Sequence, residues 1–97
     1  RYRLRLRDIF YFEIVEGRSF LYCEDRVFEC RQKLYEFETL CRGSMLFRCS
    51  KSMILNTDKI ACVRPSVSGR FEATLVNQEK VIISHQYVGE LKRMLGI

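Results

Sequence analysis

Between Leu46 and Asn56 the chain sets Arg48-Cys49-Ser50-Lys51-Ser52 between two short runs of β-favouring apolar residues, Leu46-Phe47 and Met53-Ile54-Leu55. Apolar flanks of this length suit buried strands, and the polar centre must leave the core between them. The segment therefore predicts a strand, an exposed loop and a returning strand. A loop bearing arginine, serine and lysine is equipped to meet an anion, and DNA phosphate is the foremost candidate.

Similar short runs fill most of the remaining chain. Tyr2, Leu4 and Leu6 alternate with Arg1, Arg3, Arg5 and Arg7, which predicts a half-buried strand with an arginine face. Ile9 to Val15 continues as a more buried strand. Glu16-Gly17-Arg18 reads as a turn, because Gly17 takes positive φ without strain. Ser19 to Cys23 and Val27 to Cys30 form a hairpin around Glu24-Asp25-Arg26. Leu34, Phe37 and Leu40 or Cys41 then recur at helical spacing, and Gly43 ends that helix. Ile60, Cys62 and Val63 make a strand stopped by Pro65, and Ser66 to Gly69 is a flexible turn. Arg70 to Val76 alternates with Phe71, Ala73 and Leu75 on one face; Asn77-Gln78-Glu79 turns the chain and Val81 to Ile83 returns it. Ser84 caps a final helix whose buried stripe is Tyr87 or Val88, Leu91, and Met94 or Leu95. The result is a mainly β single domain over residues 1–97 with one central and one C-terminal short helix.

The balance of 17 basic against 12 acidic residues, a net charge of +5, fits a polyanionic partner. Five cysteines with no C-x-x-C pair, and His85 as the one histidine, argue against a zinc site or a disulfide scaffold. They read as reduced, mostly buried thiols of a cytoplasmic protein. The longest apolar run, Ile9 to Phe12, is far too short to span a bilayer, and no signal peptide is visible. The chain starts at Arg1 inside a predicted strand, so an upstream sensor, receiver or dimerisation segment is expected outside it. No acidic cluster, glycine-rich phosphate loop or thiol-enzyme motif appears, so neither catalysis nor a cofactor is expected.

Taken together, the motifs resemble a known family. Asp8-Ile9-Phe10-Tyr11-Phe12-Glu13 is followed by Leu34-Tyr35-Glu36-Phe37-Glu38. Phe47-Arg48-Cys49-Ser50-Lys51-Ser52-Met53-Ile54-Leu55-Asn56 comes next, with Ile60 closing the unit. Gly69-Arg70-Phe71-Glu72-Ala73-Thr74-Leu75 and Ile83-Ser84-His85-Gln86-Tyr87-Val88 complete the order. This resembles the LytTR-type DNA-binding domain of bacterial transcriptional regulators. The resemblance implies an elongated arrangement of small antiparallel sheets. It also implies that loops between strands, instead of a recognition helix, enter successive major grooves of double-stranded promoter DNA. Regulators of this type typically bind repeated sites as homodimers. Most carry an upstream receiver domain, and a smaller group, nearer in wording to Ser50-Lys51-Ser52, is nearly bare.

Three loops of that family touch DNA. The first maps to Glu16-Gly17-Arg18-Ser19, where Arg18 suits paired hydrogen bonds to guanine; the alternative is a solvated hairpin tip. The second maps to Arg48 through Lys51, where Ser50 and Lys51 stand in for a commoner His-Arg or His-Asn pair and suit phosphate plus one base acceptor. Asn56 reads as a turn-fixing residue instead. The third is Ser84-His85-Gln86, where Ser84 suits a phosphate oxygen, Gln86 suits adenine, and His85 adds charge only when protonated. Arg70 matches a basic position used near the DNA backbone. Asn77-Gln78-Glu79 departs from the family's commoner Asn-Gly, so the tight I′ turn expected there is less well specified. The rival reading is a β-rich protein–protein interaction module whose sheet edges pair with another chain.

Overall fold

The computed structural model describes residues 3–97. Its strands are β1 (Tyr11–Val15), β2 (Arg18–Tyr22), β3 (Val27–Cys30), β4 (Leu46–Arg48), β5 (Met53–Asn56), β6 (Ile60–Pro65), β7 (Phe71–Leu75) and β8 (Lys80–Ile83). Helix α1 (Leu34–Leu40) links β3 to β4, and α2 (Val88–Leu95) ends the chain. Two antiparallel sheets result, one in the order β3-β2-β1-β5-β4 and the other β6-β7-β8. The described residues extend over 39 × 25 × 24 Å. The mainly β class with a central and a terminal helix is as the strand and helix periods led one to expect.

The five-stranded sheet is buried on both faces, and its alternation sorts the core. Phe12, Leu21, Leu46 and Ile54 pack with Phe37 and Cys41 on the α1 side. Phe12 and Phe37 stack with ring centroids 4.6 Å apart. On the opposite face Tyr11, Phe47, Cys49 and Leu55 join Ala73, Leu75, Val81 and Ile83 of the second sheet and Leu91 of α2. Tyr11 also ties the sheets through a polar contact: its hydroxyl donates to Glu79 at 3.0 Å, at the turn between β7 and β8. Desolvation, reinforced by that carboxylate, pushes the Tyr11 phenol well above its ordinary range.

The corner between the sheets is held by Asn56. Its Nδ2 donates to Ile9 O and its Oδ1 accepts from Asp58 N–H, both at 2.9 Å. The side chain is wholly buried with every polar atom partnered. The turn-fixing role expected of it is what the geometry displays.

Several expectations are corrected. Residues 3–5 carry no strand, and Leu6–Asp8 is a 3-10 turn closed by Asp8 N–H to Arg5 O (2.9 Å) and Ile9 N–H to Leu6 O (3.1 Å). Arg1 and Tyr2 lie outside the described residues. Pro65 stops β6 as expected, but from inside it: the strand runs on through Arg64 to Pro65, which faces Phe71. An edge strand tolerates the missing N–H there. The turn at Ser66 to Gly69 takes a 3-10 form over Val67–Gly69, with Ser68 at φ 59° and Ser66 N–H donating to Arg70 O at 2.8 Å. The β7–β8 loop is not a two-residue turn. Gln78, at φ 78°, donates to Leu75 O, and Leu75 N–H donates to Glu79 O, which makes a three-residue loop closed by a left-handed residue. The Ser84 hydroxyl makes no capping bond, and the residue precedes a 3-10 turn at His85–Tyr87 that leads into α2.

The thiols are less uniformly buried than expected. Cys41 and Cys49 are buried, Cys23 and Cys30 half-buried, and Cys62 is exposed on β6. Burial pushes the Cys49 thiol up to about 12 and Cys41 up to about 11. Both stay protonated at neutral pH and are shielded from electrophiles. Iodoacetamide applied to the native protein at neutral pH should therefore label Cys62 first and reach Cys41 and Cys49 only after denaturant is added. Peptide mass mapping over time checks this, and early modification of Cys49 would contradict the packing. No described helix is long and apolar enough to cross a membrane.

Candidate nucleic-acid interface

The first tip is tighter than the sequence implied. Val15 pairs with Arg18, which leaves only Glu16 and Gly17 in the loop, at φ 51° and 78°. Two successive positive φ values make a I′ turn, the hairpin geometry that follows the natural twist of the strands. Its apex is therefore acidic. Arg18 begins β2 and grips Glu29 on β3 with two bonds, Nε–H at 2.9 Å and Nη2–H at 2.6 Å. The hydrogen bonds from Arg18 hold the Glu29 carboxyl below its usual range. The Arg18 guanidinium also lies 5.5 Å from the centre of the Phe20 ring. Ser19 is buried, and its hydroxyl donates to Gln32 O at 2.6 Å.

The second tip is the loop between β4 and β5. Its base is closed by Cys49 N–H donating to Met53 O at 3.0 Å, and Ser52 N–H donates to Ser50 Oγ at 3.2 Å. Arg48 spans it from within. Its Nε–H donates to Ser50 O at 2.6 Å and its Nη2–H to Lys51 O at 2.7 Å. Lys51 is exposed, and its ammonium has no ion pair among the described residues.

The third tip joins β8 to α2. Ser84 is half-buried, while His85 and Gln86 are exposed. The His85 ring lies against Gly69, so closely that a Cβ at that position would collide with it. Gly69 also sits at φ 74°, where side chains are strained, so only glycine satisfies both demands. Arg70 follows at once, exposed and without an ion pair among the described residues.

Main-chain bonds string these tips into one edge. Ile14 N–H on β1 donates to Ser52 O at 2.9 Å, linking the first hairpin to the second loop. Ser84 N–H donates to Cys49 O, also at 2.9 Å, linking the second loop to the third. His85 then touches the turn that carries Arg70. Ser50, Lys51, Arg70, Ser84, His85 and Gln86 thus come together, with the Glu16-Gly17 hairpin beside them. Arg18, Ser19 and Arg48 reach the same edge but spend their side chains on the protein. The sequence reading placed Glu38 and Tyr87 on the two helices but did not assign either to the site. Glu38 lies 3.3 Å from Arg48 Nη1, and the Tyr87 ring centre is 5.8 Å from its guanidinium. Neither has a local signature, since both act across elements distant in sequence. Gly69 did have one: a glycine beside an arginine in a predicted turn.

The profile of a family described as the LytTr DNA-binding domain matches residues 1–96. The sensory transduction protein LytT of Enterococcus faecalis is 26% identical over 96 residues, which is 99% of this chain and 40% of that protein's length. The chain thus spans well under half of that relative. Among solved structures, a domain described as the LytTr DNA-binding domain of a methyl-accepting/DNA response regulator from Bacillus cereus superposes with a TM-score of 0.89. It is 24% identical, over 97% of this chain and 86% of that one, and at this identity it speaks for the fold.

Proposed function

The chain belongs to the LytTr DNA-binding domain family, and from that premise we propose that it reads double-stranded promoter DNA with the edge formed by its strand-connecting tips. In this reading the chain is the DNA-binding part of a bacterial transcriptional regulator. The tips enter successive major grooves along one face of the duplex. Lys51 and Arg70 neutralise phosphates; Ser50 and Ser84 add hydroxyl contacts; His85 and Gln86 face base edges. Arg18 joins them only by releasing Glu29, and Ser19 only by giving up Gln32 O.

One observation carries the reading: the bonds from Ile14 to Ser52 and from Ser84 to Cys49 place the tips side by side, with cations that nothing in the described protein neutralises. Two copies on repeated half-sites, joined through a receiver or a short dimerisation segment upstream, complete the proposal.

Titration of labelled duplex DNA at rising salt tests it. Affinity should fall steeply, because each neutralised phosphate releases a counterion. Lys51→Ala should weaken binding to every sequence and flatten the logarithmic salt slope by about one. A chain that binds duplex equally weakly at all salt concentrations would favour a protein-pairing module instead.

A further inference from the structure

We propose that Arg48 is a positioning residue that shapes the Lys51 loop from behind, and that Glu38 of α1 and the Tyr87 ring hold it in place to do so. The inference rests on the DNA-binding reading of that loop and deepens it. A loop with two glycine-free polar residues at its apex has many conformations open to it, and ordering them opposes binding. Arg48 removes that freedom. Its planar fork fits two successive carbonyls, those of Ser50 and Lys51, at 2.6 and 2.7 Å. Bonds from a charged donor to neutral carbonyls are stronger than those between neutral groups.

The fork is itself restrained on the sides it does not spend on the loop. Glu38 accepts from Nη1 at 3.3 Å, and the guanidinium lies 5.8 Å from the Tyr87 ring centre, within cation–π range. The Arg48 side chain is three-quarters buried, whereas Lys51 is exposed. A phosphate would have to displace two carbonyls and a carboxylate to capture this guanidinium. Lys51 has none of those attachments. The two cations therefore divide the labour, one fixing the path of the backbone and the other meeting the anion. Through Glu38, the outer helix α1 acquires a connection to the binding edge.

The test uses the whole chain and a duplex selected from a random library by the wild-type protein. Arg48→Met keeps the aliphatic stem and removes the donors. In the free protein it should shift the amide NMR signals of Ser50, Lys51 and Ser52; unmoved signals would overturn the proposal without any DNA present. On the selected duplex it should weaken binding about tenfold, the loss of a factor worth about 1.4 kcal/mol. In a Lys51→Ala background the same change should cost less than about twofold and leave the salt slope where Lys51→Ala put it. Losses that multiply, with a further drop in slope, would make Arg48 a phosphate contact and refute the idea. Should Arg48→Met fail to fold, Glu38→Ala, at a half-exposed position of α1, decides. It should move the Arg48 Nε–H signal and the loop amides, and their constancy would be the refutation. A wild-type chain that selects no duplex would sink the DNA-binding reading, while the amide shifts still report on the brace.

Discussion

Asn56→Ala should cost about 2–4 kcal/mol of folding stability, seen as a lowered midpoint in urea or thermal unfolding. The side chain has no exposed surface and satisfies two backbone groups, the carbonyl of Ile9 and the amide of Asp58. Alanine leaves the buried Ile9 carbonyl without its donor and opens a small void, and each contributes to the loss. For a domain of this size the expected fall in melting temperature is roughly 10–20 °C. Asn56→Asp separates the two causes. It keeps an acceptor for Asp58 N–H but turns a carboxylate oxygen toward the Ile9 carbonyl, so it should destabilise although no void forms. A change of less than about 0.5 kcal/mol in both variants would mean that the corner between the sheets is held elsewhere.

Gln86→Ala is the counterpart on the proposed binding edge. Gln86 is exposed and makes no side-chain hydrogen bond among the described residues, so its removal should leave stability within about 0.5 kcal/mol. Affinity should respond differently. If the amide pairs with an adenine edge, preference at one base pair should relax by about 1–3 kcal/mol while the remaining positions keep theirs. Competition binding with single-base variants of the selected duplex measures this directly. A preference profile identical to wild type would remove Gln86 from the set of base contacts. A uniform loss across all sequences would reassign it to the phosphate backbone.

Much of the fold was legible because its strands are short, alternating and separated by turn residues. The hairpin of β2 and β3 and the central helix follow from local pattern alone, although that helix already ends at Leu40 with Cys41 as its cap and Gly43 lies in the turn beyond. The first residues misled for a physical reason. Leu4 and Leu6 alternate with arginines, but the five-stranded sheet offers them no partner, and the chain closes a 3-10 turn before it reaches β1. Pro65 stops its strand as the sequence implied, but its inclusion within β6 depends on that strand's place at a sheet edge, which is a tertiary fact. In the candidate site the exposed members, Lys51, Arg70, His85 and Gln86, could be named from sequence. Their supports could not. Nothing local places Glu29 beside Arg18, Gln32 O beside Ser19, or Glu38 and Tyr87 around Arg48, since each pairing depends on how strands register or how a helix docks.

The side chains of Lys51, Arg70 and Gln86 hold up nothing. None of them donates or accepts a side-chain hydrogen bond within the described protein, while the main-chain bonds beneath them run from Ile14 to Ser52 and from Cys49 to Ser84 regardless of what the apices carry. Such an architecture separates address from framework. If these side chains read DNA as proposed, mutation can rewrite the recognised word a letter at a time with little penalty to folding, and descendants of one ancestral chain can drift toward new operators while their scaffold stays the same.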